Sequence, residues 1–522
     1  MKKTIAVLTA LALAAAVSGC GAGQAETASD LPEGTVDIHL SDDGITVDGQ
    51  SASADAEDPV YTAHDIVYYE DGHDFTYGEG TEADAHSALE AEAHTVLHIT
   101  QPGTYALSGT LSAGQVAVDL GDEAEEDPDA VVTLILNGVD ITCTVAPAVI
   151  FYNVYECGSK DQETADVDTS AAGANVVIAD GTVNNISGSY VARIYKEYTL
   201  SDDGTEVVDS QKLHKYDGAF YSKMSMNVDG GEAGDGVLNI TGENEGLDTE
   251  LHLTINGGVI NIASGNDGIN TNEDGVSVTT VNGGTLTIQI TGETGEGDGI
   301  DSNGFLVING GTVSAWACSD SVDAGLDADQ GIQLNGGTVL AAGNMYDQID
   351  GGEQTYVALS FASRQNGGQT YTLKNEAGET VLEAAPANDF TYLVLSGSNL
   401  TAGDYTLWCG DTQLAGAASD GMGGPGMGGN MGQPPAGEAP PDGPDAAPDR
   451  GPRPEDGEPP QDGTAPEKGE PPQDGVPPER DMARPGGQDT QTAETSVTFS
   501  LTEGGNFFTA VAPAQTGQEA EQ

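Results

Sequence analysis

"GDGIDSNGFLVINGG", residues 297–311, sets Asp298 and Asp301 on either side of Gly299-Ile300, then runs through a short apolar segment into Asn309-Gly310-Gly311. Carboxylates flanking an Ile destined for a core need a reason, and repetition supplies it. Five tetrapeptides between 244 and 351 line up: Glu245-Gly246-Leu247-Asp248, Asp267-Gly268-Ile269-Asn270, Asp298-Gly299-Ile300-Asp301, Ala324-Gly325-Leu326-Asp327 and Asp347-Gln348-Ile349-Asp350. Each of the first four leads into an Asn-Gly-Gly, starting at Asn256, Asn282, Asn309 and Asn335, at intervals of 26, 27 and 26 residues. A period in this range, with Gly-marked turns and β-branched runs, signals stacked repeats. The Leu-rich helical halves of a leucine-rich horseshoe are absent. The period therefore predicts an all-β chain folded as a parallel β-helix (a solenoid), with successive strands about 4.8 Å apart.

Alternation after each Asn-Gly-Gly assigns the faces. Ile260, Leu286, Val313 and Val339 fall on one inward row, with Ile262, Ile288, Ala315 and Ala341 beside them. Leu247, Ile269, Ile300, Leu326 and Ile349 make a second inward row at a corner. Such stacks need caps at both ends. The strands before 244 and the closing strand after 490 are expected to provide them.

Composition agrees with an all-β chain. Of 522 residues 73 are Gly and only 5% are aromatic, too few for a helical bundle. Eighty-five acidic side chains against 15 basic ones give a net charge of -70, which excludes nucleic acid as a partner. So large a self-repulsion predicts a folded form that depends on cations or high salt.

The chain divides into five parts. Residues 1–20, "MKKTIAVLTALALAAAVSGC", read as a signal peptide too short to stay as a membrane span. Its end, Val17-Ser18-Gly19-Cys20, resembles a bacterial lipobox and implies cleavage before Cys20 and lipid on its sulfur. A lipid anchor would hold the protein at the membrane surface, extracytoplasmic and surface exposed. Residues 21–58 read as a flexible acidic tether, 59–420 as the β-helix domain with its repeat core at 244–351, and 421–490 as a disordered Pro/Gly-rich segment. A closing strand and tail fill 491–522. Cys143, Cys157, Cys318 and Cys409 match no zinc spacing, allow two disulfides whose pairing spacing does not assign, and receive no catalytic role.

Stacking turns sequence period into proximity. If the tetrapeptides superpose, Asp248, Asn270, Asp301, Asp327 and Asp350 form one column, and Glu245, Asp267, Asp298 and Asp347 its neighbour, interrupted at Ala324. Two carboxylates about 5 Å apart repel by roughly 3 kcal/mol at an effective dielectric near 20, so such a column calls for protons or cations. Oxygen-only donors suit Ca²⁺ rather than zinc. The pattern is neither an EF-hand loop nor the RTX nonapeptide. The bland reading is that Asp and Asn at turns only bond their own backbone, and Asn-Gly-Gly is read as a turn and no more. Trp316 falls in register with Ala263, Gln289 and Ala342 on an outward row, where an exposed indole would serve as a stacking platform for a sugar ring unless a loop covers it.

The runs "DGAFYSKMSMNVDG" (217–230), "GVLNITGENEGLDTELHLTINGGVINIASGNDGINT" (236–271) and "GDGIDSNGFLVINGGTV" (297–313) resemble the bacterial β-helix proteins grouped as carbohydrate-binding domain-containing. "ITQPGTYALSGTLSAGQVAVDL", "LILNGVDI" and "VVIADGTVNNISG" match the same family's leading strands, so the likeness covers about residues 90–415. The resemblance implies a right-handed parallel β-helix similar to polysaccharide lyases, Ca²⁺ held by acidic residues, and binding of plant cell-wall polymers such as cellulose or polygalacturonate. Carried over residue by residue, it implies Asp267, Asp298, Asp301 and Asp327 as Ca²⁺ ligands, and adds Asp248 and Asp350. The chain departs from the family in its Pro-rich insertion and in one long step, 31 residues from Ile269 to Ile300 against 22 to 26 elsewhere.

The function expected is calcium-dependent polysaccharide binding at the cell surface, without catalysis. A polysaccharide lyase needs a strong base beside its cation, and no Lys or Arg occurs from Met224 to Ser363, although Lys215, Lys223 or Arg364 could reach in from the edge. His252 reads as a surface residue. A glycoside hydrolase with paired acids is compatible with so many carboxylates, and a structural adhesin or spacer is compatible with the repeat alone.

Overall fold

A computed structural model describes residues 31–158, 163–419 and 495–511. The signal peptide, Cys20 and the Pro/Gly-rich segment 421–490 lie outside the described residues.

Between 237 and 343, strands stack in parallel and in register. Val237–Gly242, Val259–Ser264, Thr285–Ile290, Thr312–Trp316 and Thr338–Gly343 pair in that order. Ile260, Leu286, Val313 and Val339 stand directly above one another, all buried. In "VINIAS" and "TLTIQI" every second side chain is buried, the strand alternation that puts one face into a core. Each stacked Ile or Leu contributes about 1.5–3 kcal/mol of apolar burial. The Asn-Gly-Gly turns work because their second glycine takes a conformation other residues resist. Gly284 has φ +81°, and a Cβ there would lie 2.6 Å from the Gly258 carbonyl oxygen.

A second sheet of eight strands carries the Gly-Ile tetrapeptides. Gly218–Ser222, Glu245–Thr249, Ile269–Thr271 and Ile300–Ser302 are parallel neighbours in it, and Ile300 bridges onward to Leu326. The long step to Ile300 does not disturb the register; its extra residues are spent in the turn that contains Gly292, Gly295 and Gly297, all at positive φ.

The expected right-handed parallel β-helix needs correction. The principal sheet has 22 strands and is mixed, and among the described residues no separate solenoid stands apart from it. Thr338–Gly343 pairs antiparallel with Phe390–Gly397, which pairs antiparallel with Tyr356–Gln365, itself parallel to Gly505–Val511. At the other end Val36–Leu40 pairs parallel with Gly103–Leu111 and antiparallel with Thr46–Val47. The physical reason is that the repeat covers only part of the chain. Beyond it the edge strands still have unpaired backbone groups, and hairpin-connected segments satisfy them by antiparallel pairing.

Two further expectations change. Residues 31–58 are not wholly a tether: Ile38 and Leu40 are buried in the main core. "VDIHL" has the alternation of a strand inside acidic surroundings. Trp316 is not an exposed platform. It is 5% exposed, in a second core with Leu340, Val357, Leu359, Phe361, Phe390 and Leu393. Asn388 fixes this cover, donating to the Ala317 carbonyl at 2.8 Å and accepting from Gln289 at 3.2 Å. The four described cysteines are free.

Candidate metal centre

The register of the eight-stranded sheet builds the site. Tyr221, Asp248, Asn270 and Asp301 occupy one column by direct pairing. Beside it run Glu245, Asp267 and Asp298, tied by the backbone bonds Gly246 N to Asp267 O, Gly268 N to Asp298 O and Gly299 N to Ala324 O. Glycine between the acid and the apolar residue is a packing requirement. A Cβ at Gly268 would come within 2.2 Å of Ile288 Cγ2, so the carboxylates sit where the chain touches the opposite wall of the core.

Asp217, Glu245 and Asp248 converge. One carboxylate oxygen from each lies within 4.8 Å of the others, and all three residues are buried. Ligand oxygens on one Ca²⁺, each about 2.3–2.6 Å from it, fit within that separation. Three buried oxygens here have no hydrogen-bond partner: Glu245 Oε2, Asp248 Oδ2 and Asn270 Oδ1. A buried carboxylate oxygen left bare is costly unless a cation or proton meets it. Their partners elsewhere are fixed: Asn270 Nδ2 donates to Glu245 Oε1 at 3.1 Å and Asn272 Nδ2 to Asp248 Oδ1 at 2.6 Å. Lys215 Nζ stands 2.5 Å from Asp217 Oδ2. One ammonium against three carboxylates leaves two negative charges, which one divalent cation would balance. The all-oxygen donor set suits a hard ion.

Electrostatics follows from this burial. Desolvation first, and the neighbouring carboxylates second, push Glu245 and Asp248 far above the usual carboxylate range. Burial also raises Asp217, against the pull of Lys215.

The acidic tract continues past the triad. Asp298 N donates to Asp267 Oδ1 at 2.7 Å, and Ala324 N to Asp298 Oδ1 at 2.5 Å. Asp327 and Asp347 share a side-chain hydrogen bond. Burial raises Asp267, Asp301 and Asp327 each to about 7 and Asp298 to about 9, with neighbouring acids adding to the shift.

Among the six acids expected as ligands, Asp248 joins the triad, while Asp267, Asp298, Asp301 and Asp327 form the continuing tract. Asp350 stands apart. Its strand, Ile349–Gly351, pairs Ile349 with Ile332 in the 22-stranded sheet, and its exposed carboxylate accepts from Gln348 Nε2 at 2.5 Å. His252 is buried, its Nδ1 accepting from Val278 N at 3.1 Å. Asp217 escapes the repeat pattern for a definite reason. Gly218 pairs with Glu245, so Asp217 lies one residue earlier in register than the other acids, although "DGAF" carries the same Asp-Gly signal.

A polar, aromatic groove of about 450 Å³ adjoins the triad through Lys215, lined in part by Lys212, Lys223, Tyr152, Tyr216 and Tyr221. Glu250 links its parts, accepting from Tyr221 at 2.6 Å and from Lys212 at 2.7 Å. Asp65, Asp119, Asp122 and Glu250 also line the groove, so its charge is mixed, with three of the chain's 15 Lys and Arg gathered here.

A family model described as "Carbohydrate-binding domain-containing protein" matches residues 93–370. No curated protein matches the chain. Among solved structures, a polysaccharide lyase-like protein from C. thermocellum, as its gadolinium derivative, is similar at 19% identity with a TM-score of 0.34, covering 61% of this chain and 93% of that one.

Proposed function

The chain belongs to the carbohydrate-binding domain-containing family, and from that premise we propose that it binds plant cell-wall polysaccharides, acidic ones through Ca²⁺, at the outer surface of the cell. The observation that carries the calcium dependence is the set of bare, buried oxygens on Glu245, Asp248 and Asn270. Asp217, Glu245 and Asp248 would hold the ion, with the Asp267–Asp327 tract as further acidic ground. Bound there, Ca²⁺ supplies the positive charge that lets a uronate carboxylate approach a chain of net charge -70. The chain's own residues do the rest. Exposed Lys212 and Lys223 offer ammonium groups to the polymer's carboxylates, and half-buried Tyr152 offers a ring face and hydroxyl. Lipid on Cys20 would keep this surface at the membrane.

The test is retention on polygalacturonate gel. Binding is expected in Ca²⁺ and lost in excess chelator; undiminished retention in chelator refutes the calcium dependence. One observation favours a second reading, a uronate lyase. Lys215 sits against the triad, where its ion pair with Asp217 keeps it protonated; a cation that took Asp217 from it would free it to act as a base. Absorbance of unsaturated products from polygalacturonate distinguishes the two, and the binding reading expects none.

A further inference from the structure

A separate surface, on the 22-stranded sheet, has no part in the acidic site. Asn175, Asn227, Thr254, Thr280, Val307 and Gln333 pair one with the next in register, a row of one side chain from each of six stacked strands. Alongside runs a second row made by the turn asparagines. Asn282 Nδ2 donates to Asn256 Oδ1 at 2.9 Å, Asn309 to Asn282 at 2.9 Å, and Asn335 to Asn309 at 2.8 Å. Each inner amide spends one N–H and one lone pair on this ladder and keeps one of each. These asparagines are exposed, so what remains of each amide faces solvent.

The two rows floor a groove of about 730 Å³, walled by the segment 164–170. Thr169 pins that wall at one end: its hydroxyl donates to Asn227 Oδ1 and shares a second hydrogen bond with the Thr254 hydroxyl, both at 2.7 Å. Among the described residues, none of segment 164–170 bonds to Thr280, Val307 or Gln333 at the other end in this way. Nothing lining the groove is Lys, Arg, His or aromatic, and Asp166, Asp168 and Asp229 stand among its lining residues. A polyanion is repelled by those acids, and an apolar partner finds little to bury against. What fits is a partner rich in hydroxyls, without charge, and linear. The donors and acceptors recur with the strand spacing of about 4.7–4.9 Å, so a polymer lying along the stack meets an equivalent set at each strand.

We infer that this groove is a second glycan site, independent of calcium, which takes an uncharged linear polysaccharide along the direction of strand stacking. The inference rests on the carbohydrate-binding reading but not on its calcium component. Hydrogen bonds to sugar hydroxyls are individually modest in water, so affinity builds with the number of strands engaged. Long chains bind and short oligosaccharides bind weakly.

The experiment is retention of the full chain on insoluble cellulose in excess chelator, with polygalacturonate gel in Ca²⁺ run in parallel. The double variant Thr280→Val/Gln333→Met keeps side-chain size and removes two hydrogen-bonding groups from half-exposed positions. It is expected to weaken cellulose binding by roughly tenfold or more, for two lost hydrogen bonds, with melting temperature and polygalacturonate retention unchanged. Asn309→Ala, at an exposed position of the ladder, should weaken it independently. Cellulose retention that is absent in the wild type, or unaltered in both variants, overturns the groove. Loss of the calcium effect on polygalacturonate alone overturns the calcium reading and leaves the groove standing.

Discussion

Asn270 donates from Nδ2 to Glu245 Oε1 across one strand step, at 3.1 Å, while the other oxygen of that carboxylate is buried and bare. The pairing orients Glu245 so that its free oxygen shares the space of Asp217 and Asp248. A carboxylate held in this way is poor at stabilising the fold by itself and well placed to hold an ion.

Glu245→Gln and Asp248→Asn should therefore act with opposite sign in the two states. In chelator each removes a buried acid that lacks a partner, and the melting temperature should hold or rise. In Ca²⁺ the wild type should gain stability by mass action, about 2.7 kcal/mol at a hundredfold excess over Kd, and the variants should lose that gain. Thermal melts with and without Ca²⁺ check it. Variants that melt lower than wild type by the same amount in both buffers would assign these acids a purely structural role.

The acidic tract makes stability depend on pH in a direction unusual for carboxylates. Asp301 and Asp327 are raised to about 7 and Asp298 to about 9, above the unfolded value near 3.9. In the unfolded chain they ionise first, so the folded form holds more protons over that interval. Metal-free protein is most stable below about pH 4 with respect to these groups, and loses their contribution as pH rises to about 7 and, for Asp298, to about 9. Melts in chelator should fall from pH 5 to pH 9, and Ca²⁺ should flatten the fall. A melting temperature that climbs over this range in chelator would contradict the assignment.

Much of this was legible because stacking preserves sequence period. The row Ile260–Leu286–Val313–Val339 and the column Asp248–Asn270–Asp301 follow from spacing alone, since strand pairing converts a 22- to 31-residue step into one layer. What spacing could not carry lies where the repeat stops. The mixed sheet arises from segments such as Phe390–Gly397, whose antiparallel partners are far away in sequence. Ile349 shows the boundary: it has the tetrapeptide's pattern, yet it pairs with Ile332, and Asp350 leaves the column with it. Asp217 was hidden by an offset of a single residue, whereas Lys215, which precedes the repeats, was legible only as one of three cations able to reach in from the edge.

Gly268 tests the close approach that positions the acids. Its added Cβ in Gly268→Ala would lie 2.2 Å from Ile288 Cγ2 and 2.6 Å from the Gly299 carbonyl oxygen. Neither neighbour is a flexible chain end, so the layers must part. Overpacking of this kind costs about 1–3 kcal/mol, and weaker Ca²⁺ binding should accompany it because Asp267 moves with the backbone. Calorimetric melting and Ca²⁺ titration of the variant measure both. An unchanged melting temperature would mean that the layers are looser than the register requires.

Trp316 separates a core role from a sugar-binding role. At 5% exposure, packed with Leu340, Phe361 and Phe390, it holds the C-terminal strands against the stacked layers. Truncation to alanine in a core costs about 3–5 kcal/mol, so Trp316→Ala should melt well below wild type. At temperatures where the variant is still folded, its affinity for cellulose and polygalacturonate should match the wild type. Intrinsic fluorescence offers a second measure. With only Trp316 and Trp408 in the chain, and Trp408 covered by Lys374 with its Nζ 4.8 Å from the ring, saturating glycan should leave the emission maximum unmoved. A shift on glycan addition that disappears in Trp316→Ala would return the indole to the binding surface and require the C-terminal cover to open.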